Sequence, residues 1–308
     1  MAVYIVCLRN DTMKWQGRRG SSNVRTSSGG GKMIGGGIGG IIIAGILWLV
    51  FGVNPMTALQ TGQVVAGGGN SSAATEPATS NDRDTQFVKV VLADTEEVWH
   101  QIFKEAGSTY QEPSLILFNG QVSSACGSAS SATGPFYCPG DQTVYLDKSF
   151  FVEMRQNLGI TGDKQGSGDQ DNQGKAGDFA QAYVIAHEVG HHVQTLLGIS
   201  QQVNEASRQV TRAQANKLSV LQELQADCFA GVWAQRNQER VQFLEAGDID
   251  EAINAAGQIG DDRLARASGG AVVPDNFTHG TSQQRVQWFT RGLESGNVQS
   301  CDTFSGAL

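Results

Sequence analysis

Residues Asp178 to Gly198 read DFAQAYVIAHEVGHHVQTLLG. Phe179, Ala182, Tyr183, Ala186, Val193 and Leu197 recur at the three- and four-residue spacing of a helix. Asp178 is suited to cap its start, because a carboxylate accepts from the free N–H groups of a first turn. Gly198 is suited to end it, because glycine adopts the left-handed C′ conformation without strain. Inside lies His187-Glu188-Val189-Gly190-His191, an H-E-x-x-H. Residues i and i+4 stack one turn apart on a helix, so both imidazoles can reach one ion. The intervening carboxylate can then face a water on that ion.

So short a pattern also arises by chance, and a pair of buried histidines is the bland alternative. A second helical stretch tips the balance, because it carries Glu223 and Asp227, again at i and i+4. A catalytic zinc takes three protein ligands and keeps one position open. His187 and His191 supply two and Glu223 is the expected third. Asp227 would accept the other N–H of a ligating histidine and so fix its tautomer. Glu188 would be the general base. An oxyanion donor is also needed. His279, in Phe277-Thr278-His279-Gly280-Thr281, is the first candidate and Tyr183 the second, with Arg285 expected to orient His279 or to bind substrate. His192 points about 100° away from His191 and is expected to pack or cap. His100 is read as a surface residue.

The net charge of −8 over 308 residues argues against a nucleic-acid partner. The charge is uneven, since residues 1–32 hold six basic residues against one acid. That segment is rich in Gly and Ser and reads as a disordered cytoplasmic arm. Met13 is a second plausible start, which would make Cys7 an artefact. Residues 33–53 are uncharged and apolar, long enough for one transmembrane helix. The positive-inside rule then places the rest of the chain outside the cytoplasm. A cleaved signal peptide competes, but no close A-x-A site follows. Residues 54–85 read as a flexible linker.

The soluble domain is expected over 86–302, with 303–308 as a tail. An amphipathic helix is read over 87–106, and strands over Ser114–Phe118, Pro135–Tyr137 and Thr143–Leu146. A polar loop covers 161–177, where Asp169 and Asp171 resemble a calcium loop that lacks its final Glu. Long helices are read over 201–238 and 249–267. Thr281 to Gln284 forms a capping box for a last helix through about Ser295. The four cysteines Cys126, Cys138, Cys228 and Cys301 can pair three ways; 126 with 138 and 228 with 301 is preferred, the first for proximity and the second by default.

With Phe136-Tyr137-Cys138-Pro139, Ala182 through His192, Glu223-Leu224-Gln225-Ala226-Asp227 and Thr278-His279-Gly280, the chain resembles the bacterial neutral zinc metallopeptidase family of YpfJ type over nearly all of 13–302. The E-x-x-x-D spacing is also similar to that of gluzincins. The resemblance implies an α+β, mostly helical zincin-like domain with a small sheet, whose edge strand near Gly134–Tyr137 would line the cleft and bind substrate backbone. It also implies His187, His191 and Glu223 as zinc ligands and Glu188 as base. The expected protein is a membrane-anchored zinc endopeptidase acting on protein or peptide substrates of the cell envelope. Its domain would lie on the periplasmic or extracellular side of a bacterial cytoplasmic membrane. A zinc-containing binding or scaffold module without peptidase activity is the competing reading.

Overall fold

The computed structural model describes residues 13–27, 75–158, 177–267, 269 and 271–305. A five-stranded sheet has the order β2-β1-β3-β7-β6, from β1 (Val24–Ser27), β2 (Thr75–Pro77), β3 (Ser114–Phe118), β6 (Phe136–Cys138) and β7 (Thr143–Asp147). The central pairs β1–β3 and β3–β7 are parallel, and the outer pairs are antiparallel. In β3 successive side chains point to opposite faces. Leu115 and Leu117 enter the main core with the helices, while Ile116 and Phe118 enter a smaller cluster on the other face. That second face is covered by a hairpin of β4 (Gln121–Ser124) and β5 (Gly127–Ser130). The Cys126–Cys138 disulfide ties this hairpin to β6.

Helix α1 (Arg83–Glu105) begins where Asp82 accepts from the Thr85 amide. After α2 (Phe150–Leu158) comes α3 (Asp178–Leu196), in which every residue from Asp178 to Gly190 is buried. A helix apolar on most of its circumference must lie inside the fold, and α3 does. Its N-cap is Gly177 rather than Asp178. The free amide of Phe179 is instead satisfied by Glu251 Oε2 at 3.1 Å, from another helix. The Asp178 carboxylate turns away to accept from Trp15 Nε1 and Arg83 Nη2, both at 2.9 Å.

The long helix expected over 201–238 is two, α4 (Ile199–Ser207) and α5 (Arg212–Val241). Thr211 and Gln214 form a capping box that restarts the helix, a signal overlooked for want of a glycine or proline. The helix expected over 249–267 is likewise α6 (Asp248–Gln258) and α7 (Asp261–Ala267). The break falls at Gly260, where a Cβ would sit 2.2 Å from Ser282 N. The last helix, α8 (Ser282–Ser295), starts on the expected Thr281–Gln284 box. Both preferred disulfides are present, Cys228–Cys301 fixing the C-terminal segment to α5.

Three boundaries need correction. Residues 13–27, read as part of a disordered arm, are built into the domain: Met13, Trp15 and Val24 are buried, and β1 lies inside the sheet. Two of the basic residues responsible for that reading have buried partners on α1. Arg18 pairs with Asp94, and Arg19 with Glu96 at 3.1 Å. The linker boundary at 85 also fails, because β2 and the start of α1 precede it. Nor is the tail free at its start, since Phe304 is buried and Thr303 Oγ1 donates to the Leu221 carbonyl at 2.7 Å.

The proposed membrane segment 33–53 and the loop 161–176 lie outside the described residues. Among the described residues no helix is long and apolar enough to cross a membrane. The sheet does constrain topology. β1 precedes residues 33–53, β2 follows them, and the two strands pair. A single crossing would put paired strands on opposite sides of a bilayer, so the single-pass arrangement conflicts with this sheet.

Candidate metal centre

α3 and α5 pack side by side and bring three ligand types together. Nitrogens of His187 and His191 and a carboxylate oxygen of Glu223 lie within 4.8 Å of one another. His187 Nε2 is 3.2 Å from Glu223 Oε2, and His191 Nε2 is 3.5 Å from Glu223 Oε1. The helical i, i+4 spacing sets the two imidazoles 4.8 Å apart at 87°. Gly190 permits the approach of the helices, because a Cβ there would come within 3.0 Å of the Ala226 carbonyl oxygen. Two imidazoles and one carboxylate, converging from rigid helices, are a donor set that zinc accepts and leave a position open.

The other face of His187 is fully committed. Its Nδ1 lies 2.9 Å from Asp227 Oδ1. Asp227 also accepts from Arg285 Nε at 2.8 Å, Arg285 Nη2 at 2.9 Å and Tyr183 Oη at 2.5 Å. Asp227, Arg285 and Tyr183 are all buried, so this ion pair is shielded from solvent. Burial would raise the Asp227 pKa, but Arg285 and then His187 hold it at about 2. Burial would lower the His187 pKa, but Asp227 and Glu223 outweigh it and keep it at about 10. Glu223 is drawn well below the carboxylate range, against its burial, chiefly by His191 and then His187. The triad is therefore an anionic carboxylate facing two basic rings, and a divalent cation would displace protons to enter.

Glu188 is buried beside the ligands, and desolvation pushes its carboxyl above the usual range. That direction suits a group that must take up and release a proton near neutrality.

His279 sits in the loop between α7 and α8. Asp261, which opens α7, organises this loop: its Oδ2 accepts from the amides of Thr278, His279 and Gly280 at 2.8, 2.7 and 3.0 Å. Its Oδ1 faces His279 Nδ1 at 3.1 Å. A Cβ on Gly280 would be 3.2 Å from Val220 and 3.3 Å from Leu224, so the loop rests on the turn of α5 that carries Glu223. His279 is near enough to contribute to the lowering of Glu223.

Two assignments change. Tyr183 is wholly buried with its hydroxyl on Asp227, so it supports the ligand network from behind. Arg285, expected at His279 or substrate, serves Asp227 and Tyr183 instead. His192 packs as expected: Nδ1 meets Tyr137 Oη at 3.0 Å and Nε2 the Gln111 carbonyl at 2.7 Å, which links α3 to edge strand β6. His100 lies at the surface against Glu112, 2.9 Å away. Sequence reasoning missed Asp261, whose partner lies 18 positions on with no local signal. It also missed Gln194, although an i, i+3 relation to His191 was there to be read.

A family described as "Putative neutral zinc metallopeptidase" matches residues 13–304. The chain is 46% identical over 307 residues to "Uncharacterized protein YpfJ" of Escherichia coli (strain K12), covering 96% of this chain and 100% of that protein. It is 37% identical over 265 residues to an uncharacterized protein of Mycobacterium tuberculosis (strain H37Rv), covering 83% of each. No solved structure matches the chain. Zinc is the cofactor that this family implies, and the His187–His191–Glu223 group is fit to hold a metal. With its match running from the first buried residue to the C-terminal strap, the chain belongs to the neutral zinc metallopeptidase family.

Proposed function

We propose that the protein is a zinc endopeptidase in which His187, His191 and Glu223 hold the metal and Glu188 is the general base. The observation that carries this reading is the convergence of three ligand atoms within 4.8 Å beside a buried glutamate that is not one of them. A purely structural zinc site needs no such base. Zinc held there supplies Lewis-acid polarisation of a carbonyl and a water of lowered pKa. Glu188 accepts the proton released by the attacking water and passes it to the leaving amine. His279, oriented by Asp261, donates to the oxygen that becomes negative. Asp227 keeps the Nδ1 proton on His187, and Arg285 keeps Asp227 ionised. Strand β6 is the sheet edge nearest α3, joined to it through Tyr137 and His192, and would pair with an extended substrate.

The compartment we propose is oxidising and outside the cytoplasm. Two disulfides support it, since such bonds persist there. The apolar run 33–53 would hold the enzyme at the membrane of the cell envelope from that side, without carrying the chain across it. Residues 13–27 would share the outer side with the catalytic domain.

The test is Glu188→Gln in the full-length protein. It should bind zinc as wild type does and lose cleavage of an unfolded protein substrate by about 10²- to 10⁴-fold. Undiminished cleavage in that variant would remove Glu188 from the mechanism.

A further inference from the structure

The two imidazoles are held from behind by different chemistry. His187 leans on a charged pair, Asp227 and Arg285. His191 leans on neutral amides: its Nδ1 is 2.9 Å from Gln194 Oε1. An amide can be turned end for end, so its polarity has to be argued from its partners. Gln194 Nε2 lies 2.7 Å from the Gln222 carbonyl oxygen, an atom that only accepts. The nitrogen end of Gln194 must face Gln222, and its oxygen end must face His191. Gln225 repeats the logic. Its Nε2 donates to the Cys301 carbonyl at 3.1 Å, leaving Oε1 to accept from Gln194 Nε2 at 3.0 Å.

Both amides are buried, so water does not compete for these groups. Two backbone carbonyls thus fix the direction of every bond in the chain. The hydrogen between Gln194 and the ring must sit on His191 Nδ1, which leaves Nε2 to face Glu223. Cys301, at the far end, is bonded to Cys228 on α5, the helix that carries Glu223.

We propose that Gln194 and Gln225 form a positioning relay that sets the tautomer of His191 and presents its Nε2 to zinc. The proposal rests on the metal centre above and names positioning residues that act on it without touching the ion.

Zinc affinity of full-length protein, measured by competition with a chromophoric chelator, tests it. Gln194→Leu keeps the bulk and removes the acceptor, and zinc should bind roughly 10- to 100-fold more weakly. Gln225→Leu never touches His191 and leaves the Gln222 carbonyl in place, but it strips one of the two acceptors that hold the Gln194 nitrogen, and should weaken zinc by a smaller factor, about fivefold. In the zinc-loaded, 15N-histidine-labelled protein, His191 should show a protected Nδ1–H that Gln194→Leu exposes to exchange. A role in packing alone would not move that signal. Affinity within twofold of wild type in folded Gln194→Leu would overturn the relay. If Gln194→Leu does not fold, the same result in Gln225→Leu would overturn it. Failure of the wild type itself to hold zinc would sink the metal centre and the relay with it.

Discussion

Thr26 and Glu76 are Cα partners on neighbouring antiparallel strands, although the apolar run 33–53 lies between them in the chain. Residues 13–27 and the rest of the folded domain therefore share one compartment. Cysteines placed at the exposed positions Gln16 and Gln101, in a background lacking Cys7, should react alike with a membrane-impermeant maleimide on intact cells. Labelling of Gln101→Cys in intact cells, with Gln16→Cys reacting only after lysis, would contradict the sheet register.

That segment also contributes to stability. Trp15 is buried edge-on against Phe87, 5.5 Å between ring centres, and donates to Asp178 at the start of α3. Trp15→Ala should cost about 3–5 kcal/mol, as for other buried aromatic truncations. Chemical denaturation of the metal-free protein measures it. A loss below 1 kcal/mol would mean that the segment is not docked.

Asp227→Asn should weaken zinc binding by about 10- to 100-fold, because His187 loses its anionic partner. It also leaves the buried guanidinium of Arg285 without its counter-charge, a change that costs about 3–5 kcal/mol elsewhere. Stability and affinity should therefore fall together. A variant with full stability and weakened zinc would mean that Arg285 finds another anion.

The candidate site was legible in the sequence wherever one helix carried the signal. H-E-x-x-H and E-x-x-x-D announce themselves because helical periodicity puts their side chains on one face. The supports that arrive from other elements left no such trace. Asp261 meets His279 across a turn between helices, and Glu251 satisfies an amide of α3 from α6. For the fold, β3 was visible because four consecutive apolar residues, Leu115 to Phe118, read as a buried strand. β1 was not, because Val24-Arg25-Thr26-Ser27 follows a basic, glycine-rich stretch whose charges look solvated until their buried partners are known. Composition reports average solvation and is blind to a specific ion pair.

Asp147 predicts a pH dependence away from the metal. Burial would raise its pKa, but hydrogen bonds from Ser131, the Ser149 amide and the Gly120 amide outweigh that and hold it below the usual carboxylate value. A group whose pKa is depressed by folding stabilises the fold above its unfolded pKa and loses that contribution as pH falls through the folded value. Stability should thus decline below about pH 4, where an unfolded aspartate begins to take up protons. Asp147→Asn should cost about 2 kcal/mol at pH 7 and flatten that acid limb. An unchanged limb in thermal melts between pH 2 and 7 would assign the acid sensitivity elsewhere.

Gly231 and Gly292 let α5 and α8 touch backbone to backbone. A Cβ at Gly292 would lie 1.9 Å from the Cys228 carbonyl oxygen, and one at Gly231 would lie 2.1 Å from the Phe289 carbonyl oxygen. Neither obstacle is a side-chain tip that can swing aside, so Gly292→Ala must push the helices apart. The cost should reach about 3 kcal/mol, the upper end for overpacking. The same displacement would separate Asp227 on α5 from Arg285 on α8, so zinc affinity should drop as well. Gly257→Ala on α6 is the control. Its Cβ would meet only Val286 Cγ2 at 3.6 Å, an ordinary contact, and alanine favours a helix over glycine by about 1 kcal/mol. Equal melting temperatures and zinc affinities for the two variants would mean that the α5–α8 approach has slack that this packing excludes.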